Sequence, residues 1–181
     1  PTIQLWDLTS KQVINTLDIT ADETNVPKSG NEAEGCVFDD ENKHLLISRE
    51  GERGYLKAFK SDTLEMIKVV DSRDGNITGD PEGVAIYATS ENDGYIILSS
   101  QGGNEFNLYD RQNLTFIEKF KINGVEDTDG LDVTNNQVKG IFPNGFLVVQ
   151  DGRNLPSNQN FKIISMEEVL KKKLSHHGST H

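Results

Sequence analysis

Asp80 and Glu82 stand two residues apart in Thr78-Gly79-Asp80-Pro81-Glu82-Gly83, separated by a proline and flanked by glycines. Two carboxylates held that close by a residue of fixed φ suit a hard cation, which takes oxygen donors. The same residues are also good turn chemistry, so alone the stretch reads as a plain turn running into Val84-Ala85-Ile86-Tyr87. Recurrence separates the two readings. Glu34-Gly35, Glu82-Gly83 and Asp129-Gly130 place an acid before a glycine at intervals of 48 and 47 residues. In each passage a polar turn and an apolar strand follow, and the strand ends in a second acid or amide: Glu50 before Gly51, Gln101 before Gly102, Asp151 before Gly152. Oxygen donors in that number, with no histidine or cysteine among them, favour calcium over zinc, copper or iron. Magnesium, which prefers octahedral geometry with several waters, is the weaker choice.

The elements that must carry these rungs are short strands. Thr2 to Leu8 and Val13 to Ile19 alternate apolar and polar residues around the turn at 9–12, which predicts a hairpin. Thr20 to Glu32 is polar and reads as an exposed connecting loop. Three similar passages follow, each with strands opening at the first rung, ending at the second, and continuing through a third such as Tyr55 to Phe59, Phe106 to Tyr109 and Phe161 to Ile164. The first two passages add a fourth, Leu64 to Val70 and Phe116 to Ile122. Four short antiparallel strands at a period in the forties predict an all-β fold of β-propeller blades. The predicted division is a half blade over 1–19 and blades over 33–71, 80–123 and 127–165, within one domain spanning 1–174. Ser165 with Glu168 fits a capping box, so a short helix is expected in place of a fourth strand in the last passage. Residues 175–181 read as a disordered tail.

Other chemistries find little support. No Gly-x-Ser-x-Gly elbow is present, and His44 is the only histidine outside the tail, so a Ser-His-acid triad has no motif behind it. Walker, dinucleotide and paired-cysteine zinc signatures are absent. Cys36, the single cysteine, lies in Gly35-Cys36-Val37-Phe38 and reads as a small core residue. A net charge of −11 argues against nucleic acid or an anionic membrane as partner, and no run of about 18 apolar residues exists. A polyanionic substrate would require bridging cations.

From Asp80-Pro81-Glu82-Gly83 through Gly94-Tyr95-Ile96-Ile97-Leu98-Ser99-Ser100-Gln101-Gly102 to Tyr109-Asp110-Arg111-Gln112, the chain closely resembles the β-propeller phytases. The stretch from Glu34 to Glu41, Thr128 to Val133, Gln150-Asp151-Gly152 and Asn158 to Lys162 extend the likeness over nearly all of residues 33–168. The family is a six-bladed, calcium-dependent propeller that hydrolyses phosphate monoesters of inositol polyphosphates. The resemblance implies calcium or substrate positions at Glu34, Glu50, Asp80, Glu82 and Gln101, with Glu50, Asp80 and Glu82 nearest the chemistry. It implies a further calcium site at Asp129 with Asp151 and Asn154. It also implies phytate or another phosphate monoester as substrate and a secreted or periplasmic location, although the chain opens at Pro1 with no signal peptide in view.

The likeness is to the C-terminal half of such an enzyme. The Asp-Pro-Ala-Ile-Trp-like and Asn-Asn-Phe-Asp-like stretches of the family's N-terminal half, and its phosphate-holding lysines and arginines, are not in this sequence. Arg49, Lys57 and Arg153 are the bases nearest the matched acids, and each reads as a solvated charge. A half-propeller has open edges, which predicts that two copies, or one copy and a complementing half, close the ring. The alternative is a non-catalytic calcium-binding propeller fragment that serves as an assembly or interaction module.

Overall fold

The computed structural model describes residues 1–27 and 30–176. β1 (Thr2–Asp7) and β2 (Gln12–Asp18) form a two-stranded antiparallel sheet. β3 (Ala33–Asp39), β4 (His44–Arg49), β5 (Tyr55–Lys60) and β6 (Met66–Ser72) form a four-stranded meander. β7 (Asp80–Ala88), β8 (Gly94–Gln101), β9 (Glu105–Asp110) and β10 (Phe116–Phe120) form a second. β11 (Leu131–Thr134), β12 (Phe146–Asp151) and β13 (Asn160–Ser165) make a three-stranded sheet, followed by α1 (Met166–His176). The expected tail at 175–181 lies outside the described residues from 177 onward, while Ser175 and His176 belong to α1.

Apolar packing between successive sheets explains the continuous hydrophobic runs in the middle strands. Leu45 and Ile47 of β4 face the hairpin with Ile19, Phe59 and Leu64, whereas Leu46 faces the next blade with Leu56, Ile96, Leu98 and Tyr109. On β8 the other face carries Ile97, which packs with Phe106, Leu108, Leu147, Val149 and the α1 residues Met166 and Val169. A strand covered on both faces needs apolar side chains at odd and even positions alike.

Three sequence expectations are corrected by this packing. Cys36 is exposed, not in the core. Cys36 and Phe38 share a face of β3 that no described strand covers, because the preceding sheet consists of β1 and β2 alone. Arg49 and Lys57 are buried, not solvated, at 0% and 2% side-chain exposure. Arg49 donates to both Glu23 oxygens, Lys57 bonds Asp22 and Glu23, and both cations lie over the Tyr55 ring, so the 20–27 loop, largely exposed as expected, is ion-paired to the first blade. Asp80 to Gly83, expected as a turn ahead of the strand, already belongs to β7.

Register shifts accommodate that last residue set. β3 slips against β4 between Ala33 and Cys36, and β7 slips against β8 between Pro81 and Val84, so the acid-glycine pair occupies the same irregularity in both blades. Such irregularities re-aim a side chain and tolerate a proline that cannot donate. Among the described residues no helix is long and apolar enough to cross a membrane.

Candidate metal and phosphate site

Neighbouring blades are stitched together at the first rung by two buried serines. The Ser48 hydroxyl accepts from the Gly35 amide at 2.8 Å and donates to the Glu82 carbonyl. Ser99 occupies the equivalent place one blade on, donating to the Asp129 carbonyl at 3.0 Å, which also accepts from the Gly83 amide at 2.7 Å. Glycine is required there for closeness. A Cβ on Gly35 would stand 2.5 Å from the Glu82 carbonyl oxygen, and one on Gly83 would stand 2.7 Å from that of Asp129. Substituting Gly83→Ala is therefore expected to destabilise by about 1–3 kcal/mol through overpacking, read as a lower urea midpoint with an unchanged m-value. Gly130, the third member, has nothing within 4 Å of its would-be Cβ.

These contacts gather Glu34, Glu50, Glu82, Asp80 and Asp129 into one acidic mouth. Glu82 is 5% exposed, and no described residue donates a hydrogen bond or an ion pair to its carboxyl group. Burial, and then the charges of Glu34, Glu50, Asp129 and Asp80, push its pKa up to about 8. Glu50 is pushed up to about 7 by its hydrogen bond with Glu32, then by burial and the neighbouring carboxylates, and Glu32 is lowered correspondingly. Asp80 is bonded by the Gly51 amide at 3.2 Å and by Arg73. Gln101 donates its amide NH₂ to Asp129, leaving its carbonyl oxygen free of that bond.

Asp151 and Asn154 are not part of this group. Asp151 is buried and takes bonds from Lys162 at 2.6 Å and from the Glu126 amide at 3.0 Å, which hold its carboxyl below the usual range. Asn154 bonds the Asn158 carbonyl at 2.9 Å within its own loop. Arg153 is exposed, as expected.

The donor set suits a hard cation in kind. All of the mouth's donors are oxygens, and a buried carboxyl group with no base beside it is costly unless it is protonated or meets a cation. Among the described residues no three His, Cys, Asp or Glu side chains are gathered closely enough to hold an ion by themselves. Backbone carbonyls, the Gln101 amide oxygen, water or substrate oxygens would have to complete the shell.

A family model described as Phytase matches residues 18–179. The chain belongs to the β-propeller phytase family. Over 154 residues it is 36% identical to a 3-phytase of Bacillus subtilis (strain 168), a match that takes 78% of this chain and 40% of the relative. The phytase-family chain thus spans less than half the length of that relative. Solved structures agree on the fold. The structure of U3-55K superposes with a TM-score of 0.60 at 11% identity, covering 91% of this chain and 45% of that one. The RRP9 WD40 repeats give a TM-score of 0.59 at 10% identity, covering 91% and 44%. A nidogen/laminin complex chain gives 0.56 at 15%, covering 76% and 46%.

Sequence reasoning passed over Glu32, Arg73, Ser48 and Ser99. For the serines a signal existed, since each precedes the second-rung residue of its blade by two positions. Glu32 and Arg73 sit in connecting segments with no counterpart at the same register, so repetition could not mark them.

Proposed function

We propose that this chain supplies the calcium-binding half of a phytase-like phosphomonoesterase acting on inositol polyphosphates. The observation that carries the reading is Glu82, a buried carboxyl group set among four others and given no base by any described residue. Glu34, Glu50, Asp80, Glu82 and Gln101 would hold calcium at the mouth, and Asp129 borders them through Gln101. A further calcium at Asp129 with Asp151 and Asn154 is the secondary candidate, and it would have to displace Lys162 from Asp151. Bound calcium would neutralise substrate phosphates and lower the pKa of a coordinated water for attack at phosphorus. The chain's own contribution is to fix the carboxylates across blades through Ser48 and Ser99. With pKa values near 7 and 8, Glu50 and Glu82 can also hold or release a proton at neutral pH. The reading carries with it a secreted or periplasmic location, where calcium is plentiful.

The ring is completed by another polypeptide segment in this reading. Gly35 and Gly83 are each pressed against the next blade, while Gly130 faces open space where a further acid-bearing strand would lie. Two copies joined end to end would bring the three-stranded sheet onto the β1–β2 hairpin, one strand more than the four of a full blade. That mismatch favours a complementing half over a second copy, and a dimer in sedimentation would contradict it.

The test is phosphate release from phytate with calcium and with chelator. Release that requires calcium and disappears in Glu82→Ala supports the enzyme reading. Calcium-dependent thermal stabilisation without turnover at any calcium concentration, even with a complementing half of the ring supplied, would leave the non-catalytic binding module. Neither effect would overturn both.

A further inference from the structure

Asp80 is held by only one of its two carboxylate oxygens. Oδ1 accepts from the Gly51 amide at 3.2 Å and from the Arg73 guanidinium, and no described residue donates to Oδ2. Arg73 leaves the end of β6, and its Nε–H donates to the Gly51 carbonyl at 2.6 Å. Its own amide donates to the Gly54 carbonyl at 3.0 Å, and the Gly54 amide closes back on Gly51 at 2.9 Å. One guanidinium therefore clasps both ends of a small structure: the Glu50-Gly51 turn at the end of β4, and Asp80 at the head of β7. Gly51 sits at φ 96°, a conformation that leaves this turn without an alternative residue type.

We infer that Arg73 is a positioning residue of the proposed calcium site, fixing Asp80 against the Glu50-Gly51 turn by one oxygen and leaving the second oxygen for the ion. The inference rests on the functional reading above and names a residue that the acid-glycine repeat does not mark. A carboxylate ligand that is itself hydrogen-bonded by an outer partner is the usual arrangement around bound metals, and loss of such a partner weakens binding by about 10–100-fold. The charge of Arg73 acts in the opposite sense, because a guanidinium beside a cation repels it. The sign of the change on removing Arg73 therefore separates positioning from mere charge compensation.

The experiment is a calorimetric calcium titration of the full chain and of the variants Arg73→Gln and Arg73→Lys, with melting midpoints measured in chelator. Arg73→Gln is expected to bind calcium about 10–100-fold more weakly than the parent chain. Arg73→Lys is expected to fall between the two, since an ammonium keeps the charge but lacks the fork that reaches Gly51 and Asp80 together. In chelator both variants should melt within a few degrees of the parent, because the Arg73–Asp80 pair is partly solvated, at 29% and 38% side-chain exposure, and solvated pairs contribute little. Calcium binding in Arg73→Gln that equals or exceeds the parent overturns the inference alone. Parity between Arg73→Lys and the parent overturns it too, since charge would then suffice. A parent chain that binds no calcium overturns the functional reading and this inference with it.

Discussion

Replacing Arg111 with methionine is expected to destabilise the chain by about 3–5 kcal/mol, because it leaves the buried Asp39 carboxylate without its counter-ion. The pair is almost entirely removed from water, with side-chain exposures of 5% and 1%. Arg111 grips Asp39 with two parallel bonds, Nε to Oδ2 at 2.8 Å and a terminal nitrogen to Oδ1 at 2.7 Å. Its remaining nitrogen donates to the Ser90 and Asp93 carbonyls at 3.2 and 3.1 Å, while Asn42 bonds both Asp39 and the Asn92 carbonyl. The cluster thus ties the turn between β3 and β4 to the turn between β7 and β8, joining the two full blades at one rim. Burial raises the Asp39 pKa, but the bonds from Arg111 and Asn42 outweigh it and leave the group below its usual 3.8. The stabilisation is therefore present above that value and is lost as pH falls through the lower folded pKa. In Arg111→Met the balance reverses, and mild acid should recover part of the lost stability by neutralising Asp39. A double variant, Asp39→Leu with Arg111→Met, should lose less than the single change, since two well-packed apolar groups replace an orphaned charge. Urea denaturation of the cycle checks this, and a loss below about 1 kcal/mol for Arg111→Met would contradict the buried-pair account.

Glu82→Gln is expected to act in opposite directions on the cation-free and the calcium-loaded chain. Without calcium, the folded chain keeps a proton on Glu82 up to about pH 8, whereas the unfolded chain releases it near the usual 4.5. Native protein then binds more protons than unfolded protein across that interval, so stability falls as pH rises through it, by at most about 1.4 kcal/mol per pH unit for one proton. Glutamine is neutral throughout and should flatten the fall, making the variant more stable than the parent at pH 8 and similar to it near pH 4.5. With calcium the order should invert. Loss of the buried carboxylate ought to weaken binding by more than about 100-fold, beyond the range for outer partners of a ligand, and to remove the calcium-dependent rise in melting midpoint. Melting curves at pH 5 and 8, with and without calcium, contain the whole prediction. A variant that keeps the parent's calcium response would remove Glu82 from the site.

The blades were legible because their signals are local and repeated. Strand-length apolar runs, an acid before glycine at 48 and 47 residues, and a second polar rung at the strand's end all lie within one repeat. What escaped was decided by the neighbouring sheet. Cys36 has the sequence surroundings of a core residue, yet its face of β3 meets no described strand. Arg49 and Lys57 look like surface charges until the acids of the 20–27 segment fold over them, 26 to 35 residues away in sequence. Asp39 and Arg111 are 72 residues apart, and neither stands out alone. Within the candidate site, the repeat marked Glu34, Glu50, Asp80, Glu82, Gln101 and Asp129, which the fold brings to one mouth. Asp151 follows the same repeat, yet its carboxylate is occupied by Lys162, a pairing that periodicity does not reveal.

The central claim is that Glu82 and Glu50 bind calcium together at one acidic mouth, and counting the protons that calcium displaces from them tests it most directly. Calcium titrations at pH 7 in buffers of different ionisation enthalpy give the number released per chain. Carboxyl groups with pKa values of about 8 and about 7 predict net release of more than about one proton on binding, reduced in Glu82→Gln to what Glu50 alone can give. Calcium binding with no proton release, or equal release from the parent and the variant, would contradict it.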